Sequence, residues 1–479
     1  MNRHTRVVFA LALAVSLAAT AAGADKPASK ASVGGELELP HQAHTLDNGL
    51  QVLLHEDHRL PLVAVSIWYH VGAFHEAPGR TGFAHLFEHM MFQGSAHVAD
   101  DQHISLVQQI GGTGVNGTTS FDRTNYIETV PTHHLETVFW LESDRMGFLL
   151  PELTAEKLET QRQVVKNERR QSVETQPYGI AEERLWQALF PLPHSYYGRV
   201  IGSMQDLNAA TLQDVRDFFV TWYAPSNATL VVAGDIEPRA TLRLIRKYFG
   251  TLPARPRPKP PKVASVRLDR EVVIEHEEEV GQLARVMVGW HSPAFFAPGD
   301  ADADLLASLL SVGRSSRLQA RLVHELQLAQ SANASQESLG SQSVFSIEAT
   351  ARPGVKAERL LEEIDTILDS VRNGDLSQSE IKRAAARFET AFITDLQRLG
   401  GFRGRAEQLQ RYNHFLGDPD YLARDLARYR NVSVQSLTDF VRKQLPKKRR
   451  AVLFARPKMH SAQPTQAEPG QAPSPPGDH

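Results

Sequence analysis

The sequence predicts an α+β protein made of two homologous halves, each a mainly antiparallel sheet packed with helices. Three observations carry this expectation. The chain has 479 residues, more than a single hydrophobic core organises. A segment recurs: TLQDVRDFF at residues 211–219 and SVQSLTDFV at residues 433–441 stand 222 positions apart. Both open on a hydroxyl residue suited to a helix N-cap, and both share Gln and then Asp-Phe at the same steps. Each then leads through a short loop into an apolar strand, ATLVVAG in one copy and RAVLFAR in the other. Between the copies lies LPARPRPKPPKV, residues 252–263, whose prolines exclude regular structure and mark a linker.

The elements follow in order. Residues 1–24 read as a signal peptide: Arg3 and Arg6 give a positive start, Val7 to Ala22 an apolar run, and Ala22-Gly23-Ala24 a cleavage site. The run is short for a membrane span, so cleavage and export are expected, to the periplasm if the source has two membranes. Residues 25–36 read as a flexible polar segment, and residues 37–251 as the first domain. Asn48-Gly49 signals a hairpin turn within LDNGLQVLLHEDHRLPLVAVSIWYHVG. A helix around His85 follows, then strands near Thr118 to Val130 and helices through Trp140 and beyond. Residues 264–456 form the second domain. Residues 457–479, rich in Pro, Gln and Ser, read as a disordered tail.

Bulk composition narrows the function. Hydrophobic residues make up 42% and charged residues 22%, ordinary values for a soluble globular protein. A net charge of -3 supplies no global field for nucleic acid and argues against such a partner. Cysteine is absent, which excludes disulfides, thiol catalysis and cysteine metal sites. A bound metal must therefore be held by His, Asp or Glu.

The stretch GFAHLFEHMMFQGS offers such ligands. On a helix turning about 100° per residue, with His85 at zero, Glu88 falls near 300° and His89 near 40°. The three share one face, where two imidazoles can converge on one ion. Phe83, Phe87 and Met90 cover the other sides, and Gly94 is placed to end the helix. Glu88, beside the ion without being required as a ligand, can take a proton from metal-acidified water. A third ligand comes from LTAEKLETQRQVVKNERRQ, a helix capped by Thr154. With Leu158 at zero, Leu153, Val164 and Val165 mark an inward stripe and Glu168 falls in its middle, near 280°. An inward carboxylate needs an arginine partner or a cation. Beside two histidines, a His85, His89, Glu168 zinc site is the better account.

GRTGFAHLFEHMMFQGS followed by VVKNERR resembles the pitrilysin/insulinase family of zinc peptidases, in the branch with mitochondrial processing peptidase and its bacterial relatives. NGTTSFDRTNYIETVP, HSYYGRVIGS and WYAPSNATLVVAGD resemble further family segments in the family's order, so the likeness spans nearly the whole mature chain. The resemblance implies two domains enclosing a chamber, one Zn2+ per chain on His85, His89 and Glu168, and Glu88 as general base. It implies that Asn116, Gly117 and Thr118 lie beside an extended peptide added to the sheet edge. Gln161 stands where many members carry a second glutamate; its amide can still hydrogen-bond behind a ligand, without the negative charge. In GRSSRLQARLVHELQLAQS, taken as the family's glycine loop and helix, Val323 and Gln330 replace an Arg and a Tyr that contact substrate. The resemblance thus implies the zinc-carrying subunit of a heterodimer, weakly active alone, whose homologous partner supplies that pair. Aligning Gly94 with Gly313 puts Asp304, Ala307 and Ser308 at the zinc-helix positions, so the second half holds no metal. A noncatalytic assembly or scaffold subunit is the alternative.

Overall fold

Eleven strands form two sheets in the computed structural model, which describes residues 37–458. The expected signal peptide, the segment 25–36 and the tail beyond residue 458 lie outside the described residues. The first sheet holds β1 (Gln42–Thr45), β2 (Gln51–Glu56), β3 (Leu62–Tyr69), β4 (Thr113–Thr119), β5 (Thr124–Pro131) and β6 (Ala228–Gly234) in the order β1-β2-β6-β3-β5-β4. The second holds β7 (Val272–Glu278), β8 (Arg285–Ser292), β9 (Ala329–Glu337), β10 (Ser343–Ala351) and β11 (Ala451–Pro457) in the order β7-β11-β8-β10-β9. Strand for strand, β2-β6-β3-β5-β4 repeats as β7-β11-β8-β10-β9. In both sheets the last strand of the half enters between two earlier ones, β6 between β2 and β3 and β11 between β7 and β8, parallel to the first of each pair and antiparallel to the second.

That insertion revises the hairpin expectation. Asn48-Gly49 does turn the chain, with Gly49 at φ +89°, but it joins β1 to β2. β2 and β3 never pair, because β6 separates them. Two other expectations shift. Strand β11 runs through Arg456 and Pro457, where the tail was expected to start, since Arg456 pairs with Glu275 and Glu358. The irregular run begun by the proline linker continues to the start of β7 at Val272.

Eight helices build the site and join the two halves: α1 (Phe83–Met90), α2 (Leu135–Phe148), α3 (Ala155–Arg169), α4 (Gly179–Leu189), α5 (Leu212–Trp222), α6 (Asp300–Ser311), α7 (Arg405–Leu416) and α8 (Val434–Gln444). The repeated segments are α5 and α8. Thr211 and Ser433 cap them, each in a reciprocal capping box. Each sheet buries one face against helices of its own half: Val52, Leu54, Val63 and Val65 in the first, Val286, Val288, Phe345 and Ile347 in the second.

The other faces are covered by exchange. From the first half, α4 lays Leu185, Trp186 and Leu189 against Met287, Leu453 and Ala455 of the second sheet. From the second half, α7 lays Ala406, Leu409 and Tyr412 against Leu53, Ala64, Val231 and Ala233 of the first. Polar groups key α7 in place. Glu407 is buried and accepts from Ser66 Oγ, from Trp68 Nε1 at 3.0 Å and from Asn125 Nδ2 at 2.9 Å. Gln410 Nε2 donates to the Ser66 and Thr229 carbonyls at 2.9 and 2.8 Å.

Candidate metal centre

Helix α1 is fixed from its N-terminus. Gly82, its N-cap, has φ +88°, and Gly202, with φ +77°, packs directly on it. A Cβ on Gly202 would stand 2.4 Å from the Thr81 carbonyl oxygen, so only glycine allows this approach. Glu76 accepts from the Gly82 and Ala84 amides at 3.0 and 2.8 Å, an acidic cap at the positive helix end. Helix α3 starts at Thr154, whose hydroxyl accepts from Lys157 N at 3.2 Å. Arg169, near its other end, donates to the Gly202 carbonyl at 2.6 Å and pairs with Glu183 at 2.7 Å. One loop therefore holds both helices.

This framework brings three side chains to a point. His85 Nε2 and His89 Nε2 stand 3.3 Å apart, and Glu168 Oε2 is 3.6 Å from the first and 3.5 Å from the second. Ligands at about 2.0–2.1 Å from a tetrahedral zinc stand roughly 3.3–3.4 Å from one another. The triangle therefore fits such an ion, which His85, His89 and Glu168 would hold. Burial, then the neighbouring His89, hold the His85 imidazole down to about 4, so it is a neutral lone-pair donor near pH 7. Burial also pushes His89 down, but its bond to Glu168 and the charge of Glu88 overcome this and raise it. The bond to His89 holds the Glu168 carboxyl below its ordinary value. His85 departs from the usual pattern of a metal-bound imidazole in one respect: its Nδ1 is buried with no acceptor.

Glu88 lies beside the triangle. Its Oε2 accepts from Thr119 Oγ1 at 2.6 Å, and burial pushes its carboxyl up from the ordinary value. Strand β4 passes close by as the outer edge of the first sheet. A Cβ on Gly117 would stand 3.0 Å from Glu88 Oε1, so glycine lets that edge approach. Asn116 is exposed, with its side chain accepting from the Gly117 amide at 2.9 Å. Arg123 donates to the Thr118 carbonyl at 2.7 Å and places positive charge near Glu88. Gln161 is buried and borders His89. A cleft of about 770 Å³ is lined by His85, Glu88, His89, Gln161, Glu168 and the Asn116–Thr119 edge. Thr119, Arg123, Arg169 and Gly202 are contacts that sequence reasoning missed. They lie in NGTTSFDRTNYIETVP, VVKNERR and HSYYGRVIGS, segments noticed for their likeness alone.

Among the described residues a second group, His103, Glu128 and Glu142, also gathers three donor atoms within 4.8 Å. It differs in charge. Arg145 forms a buried ion pair with Glu142 and stacks 4.1 Å from the Tyr126 ring, so a cation is already built in. No Lys or Arg pairs with Glu168 among the described residues.

Four local expectations change. Val164 is 42% exposed, and the Glu168 side chain 44%. The buried stripe of α3 is Leu158, Gln161, Val165 and Arg169, so Glu168 sits on its margin, facing the cleft rather than the core. Helix α1 stops at Met90, and Gly94, at φ +81°, turns the chain four residues later. In the second half a π-helical turn, Gln319–Glu325, replaces the expected longer helix and carries Val323, while Gln330 is exposed on edge strand β9. Neither lines the cleft. Finally, α6 is longer than α1, so the alignment depends on its anchor. Matching the left-handed N-caps Gly82 and Gly299 gives Asp302, Leu305 and Leu306, whereas matching Gly94 and Gly313 gives Asp304, Ala307 and Ser308. Both leave the helix without imidazoles.

Fold and donor set together define a duplicated α+β protein in which a His, His, Glu cluster able to hold a cation gathers beside a sheet edge. Residues 51–195 match the family described as Insulinase (Peptidase family M16), and residues 209–388 match Peptidase M16 inactive domain. The zinc protease PqqE of Helicobacter pylori is 31% identical over 400 residues, 82% of this chain and 88% of that one. The chain belongs to peptidase family M16. The probable zinc protease PqqL of Escherichia coli is 32% identical over 223 residues, 44% of this chain and 23% of its own length. A crystal structure of a protease from Helicobacter pylori superposes with a TM-score of 0.81 at 28% identity, covering 88% of this chain and all of that one. A peptidase M16 inactive domain from Pseudomonas fluorescens shares the fold, with a TM-score of 0.75 at 17% identity over 88% of this chain and 98% of its own.

Proposed function

We propose that this chain is a zinc-dependent endopeptidase acting on peptides or unfolded segments. The observation that carries the reading is the ligand triangle, with edges of 3.3–3.6 Å, set beside Glu88 and an unpaired strand edge. His85, His89 and Glu168 would hold one Zn2+ per chain, which when bound supplies Lewis acidity for water and for the scissile carbonyl. The outer edge of β4 at Asn116, Gly117 and Thr118 aligns an extended substrate by main-chain pairing. Glu88, held by Thr119, takes a proton from the attacking water and passes it to the leaving amine. Gln161 orients His89 without adding charge.

Export fits the signal segment at residues 1–24, and the related PqqL structure from Escherichia coli is described as a periplasmic protease. No helix among the described residues is long and apolar enough to cross a membrane. A homologous partner subunit supplies the Arg and Tyr contacts that Val323 and Gln330 cannot make, so activity alone is weak. The noncatalytic reading draws on that same absence, but a scaffold gives no reason for three donors to converge with a base beside them. Measuring zinc by elemental analysis, and peptide cleavage with and without chelator alone and with the partner, decides between the readings. One zinc equivalent with chelator-sensitive cleavage is expected. Cleavage that persists after complete zinc removal would reject the mechanism, and a zinc-free, inactive purified complex would favour the scaffold.

A further inference from the structure

A second cavity, of about 500 Å³, opens where β4 begins. Thr113 and Gly114 of β4 line it, as do Thr129 of β5, the β2–β3 turn and the glycine loop that leads into α7. Its charge is one-sided. Arg59, Arg398 and Arg405 line it, with Asp57 as the one carboxylate among the lining residues. Asp57 is shared: it bonds Arg59 at 2.7 Å and Arg405 at 2.5 Å, and the Arg59 bond holds its carboxyl well below the usual range. Arg405 is 9% exposed, and its Nε is buried without a partner. Arg398 reaches Asp395 only at 3.7 Å and is 63% exposed. A buried guanidinium with an unused donor, in a cavity with surplus positive charge, fits a carboxylate.

The cavity and the metal centre share a strand. Gly117, against Glu88, and Thr113, at the cavity, are four residues apart in sequence, but a bulge between Thr113 and Asn116 leaves their β5 partners, Tyr126 and Thr129, three apart, about 10 Å at strand rise. A peptide added antiparallel to β4, the more stable pairing, runs C-terminally from the metal centre toward Thr113. We propose that this cavity is a carboxylate subsite for substrate, taking an acidic side chain or a free C-terminus three or four residues beyond the scissile bond. The inference rests on β4 being the substrate strand.

The test separates binding from cleavage. In the full chain carrying Glu88→Gln, fluorescence anisotropy follows neutral peptides in which a single glutamate is moved one residue at a time. A second arm compares free and amidated C-termini in a set of shortened peptides. One or two adjacent glutamate positions should bind about fivefold tighter, the scale of a single ion pair. Combining Arg59→Gln with Arg398→Gln, both exposed positions, should shrink that gain to what Arg405 alone supplies and leave the all-neutral peptide unchanged. Mass spectrometry of products from the unmutated chain with the proposed partner subunit should place the cut three or four residues before the favoured glutamate. A gain only with the free C-terminus identifies terminal capture. No favoured position in either arm, a gain undiminished by the double substitution, or a favoured glutamate elsewhere relative to the cut overturns the subsite. Acid-selective binding with no cleavage would sink the peptidase reading and leave the subsite standing.

Discussion

Helices α1 and α6 follow equivalent strands in the two halves, and both begin at a left-handed glycine. They spend their polar residues differently. On α6 two of the three acids find protein partners, while Asp302 Oδ1 is buried without one: Asp300 accepts from Phe296 N at 3.0 Å and Ser338 Oγ at 2.7 Å and pairs with Arg428 at 3.1 Å, and Asp304 accepts from Tyr429 Oη at 2.7 Å. On α1, His85 and His89 meet each other and Glu168, with no Lys or Arg among the described residues to neutralise the acid. One scaffold thus supports a closed polar helix and an open one. The difference lies in a few side chains and in the loop around Gly202 that ties α1 to α3.

Breaking the open helix should have the largest effect. Glu88→Gln, assayed with the proposed partner subunit, is expected to lower peptide cleavage about 10²- to 10⁴-fold while retaining a full zinc equivalent. Cleavage at the original rate would remove Glu88 from the mechanism. Glu168→Gln should weaken zinc binding, measured by competition with a fluorescent chelator, by more than the roughly 100-fold upper range for residues that only support a ligand. An unchanged affinity would mean the triangle does not close on a metal.

Two positive-φ glycines, Gly202 and Gly313, sharpen the contrast. Gly202→Ala forces a Cβ to 2.4 Å from backbone and should cost about 2–4 kcal/mol by chemical denaturation, with lower zinc affinity. Gly313→Ala meets the flexible end of Arg387 at 2.9 Å and should cost about 1 kcal/mol, with zinc binding intact. Equal losses would deny the Gly202 loop its special place.

The smallest effect belongs to α6 and has the opposite sign. Burial, then Asp300, push the Asp304 carboxyl up to about 7 from its ordinary 3.8. The folded chain therefore binds this proton more tightly than the unfolded one. No penalty exists below pH 3.8, stability falls from there to about pH 7, and the loss stays constant above. A rise of that size corresponds to roughly 4 kcal/mol, but Asp304→Asn also gives up the carboxylate that accepts from Tyr429, so it should raise stability by only about 1 kcal/mol at pH 8 and leave it unchanged at pH 3.5. An equal gain at both pH values would place the effect in packing instead.

Much of the fold and of the centre was legible in local patterns. His85, Glu88 and His89 share a face through helical spacing alone, and the capped repeats at Thr211 and Ser433 expose the duplication because caps are written in adjacent residues. Glu168 was found through periodicity, but its margin position was not. Val164 and Glu168 point into a cleft whose far wall is another segment, so a single helix's pattern reads both as core. The β6 insertion and the Gly82–Gly202 contact escaped for the same reason: they join residues more than a hundred positions apart.

The traded helices have a consequence for the linker. Since α4 roofs the second sheet and α7 roofs the first, severing the backbone anywhere in residues 252–263 would leave each fragment missing its own lid and gripping its neighbour's. A nicked chain should still migrate as one particle, and two separately made fragments should be insoluble until mixed.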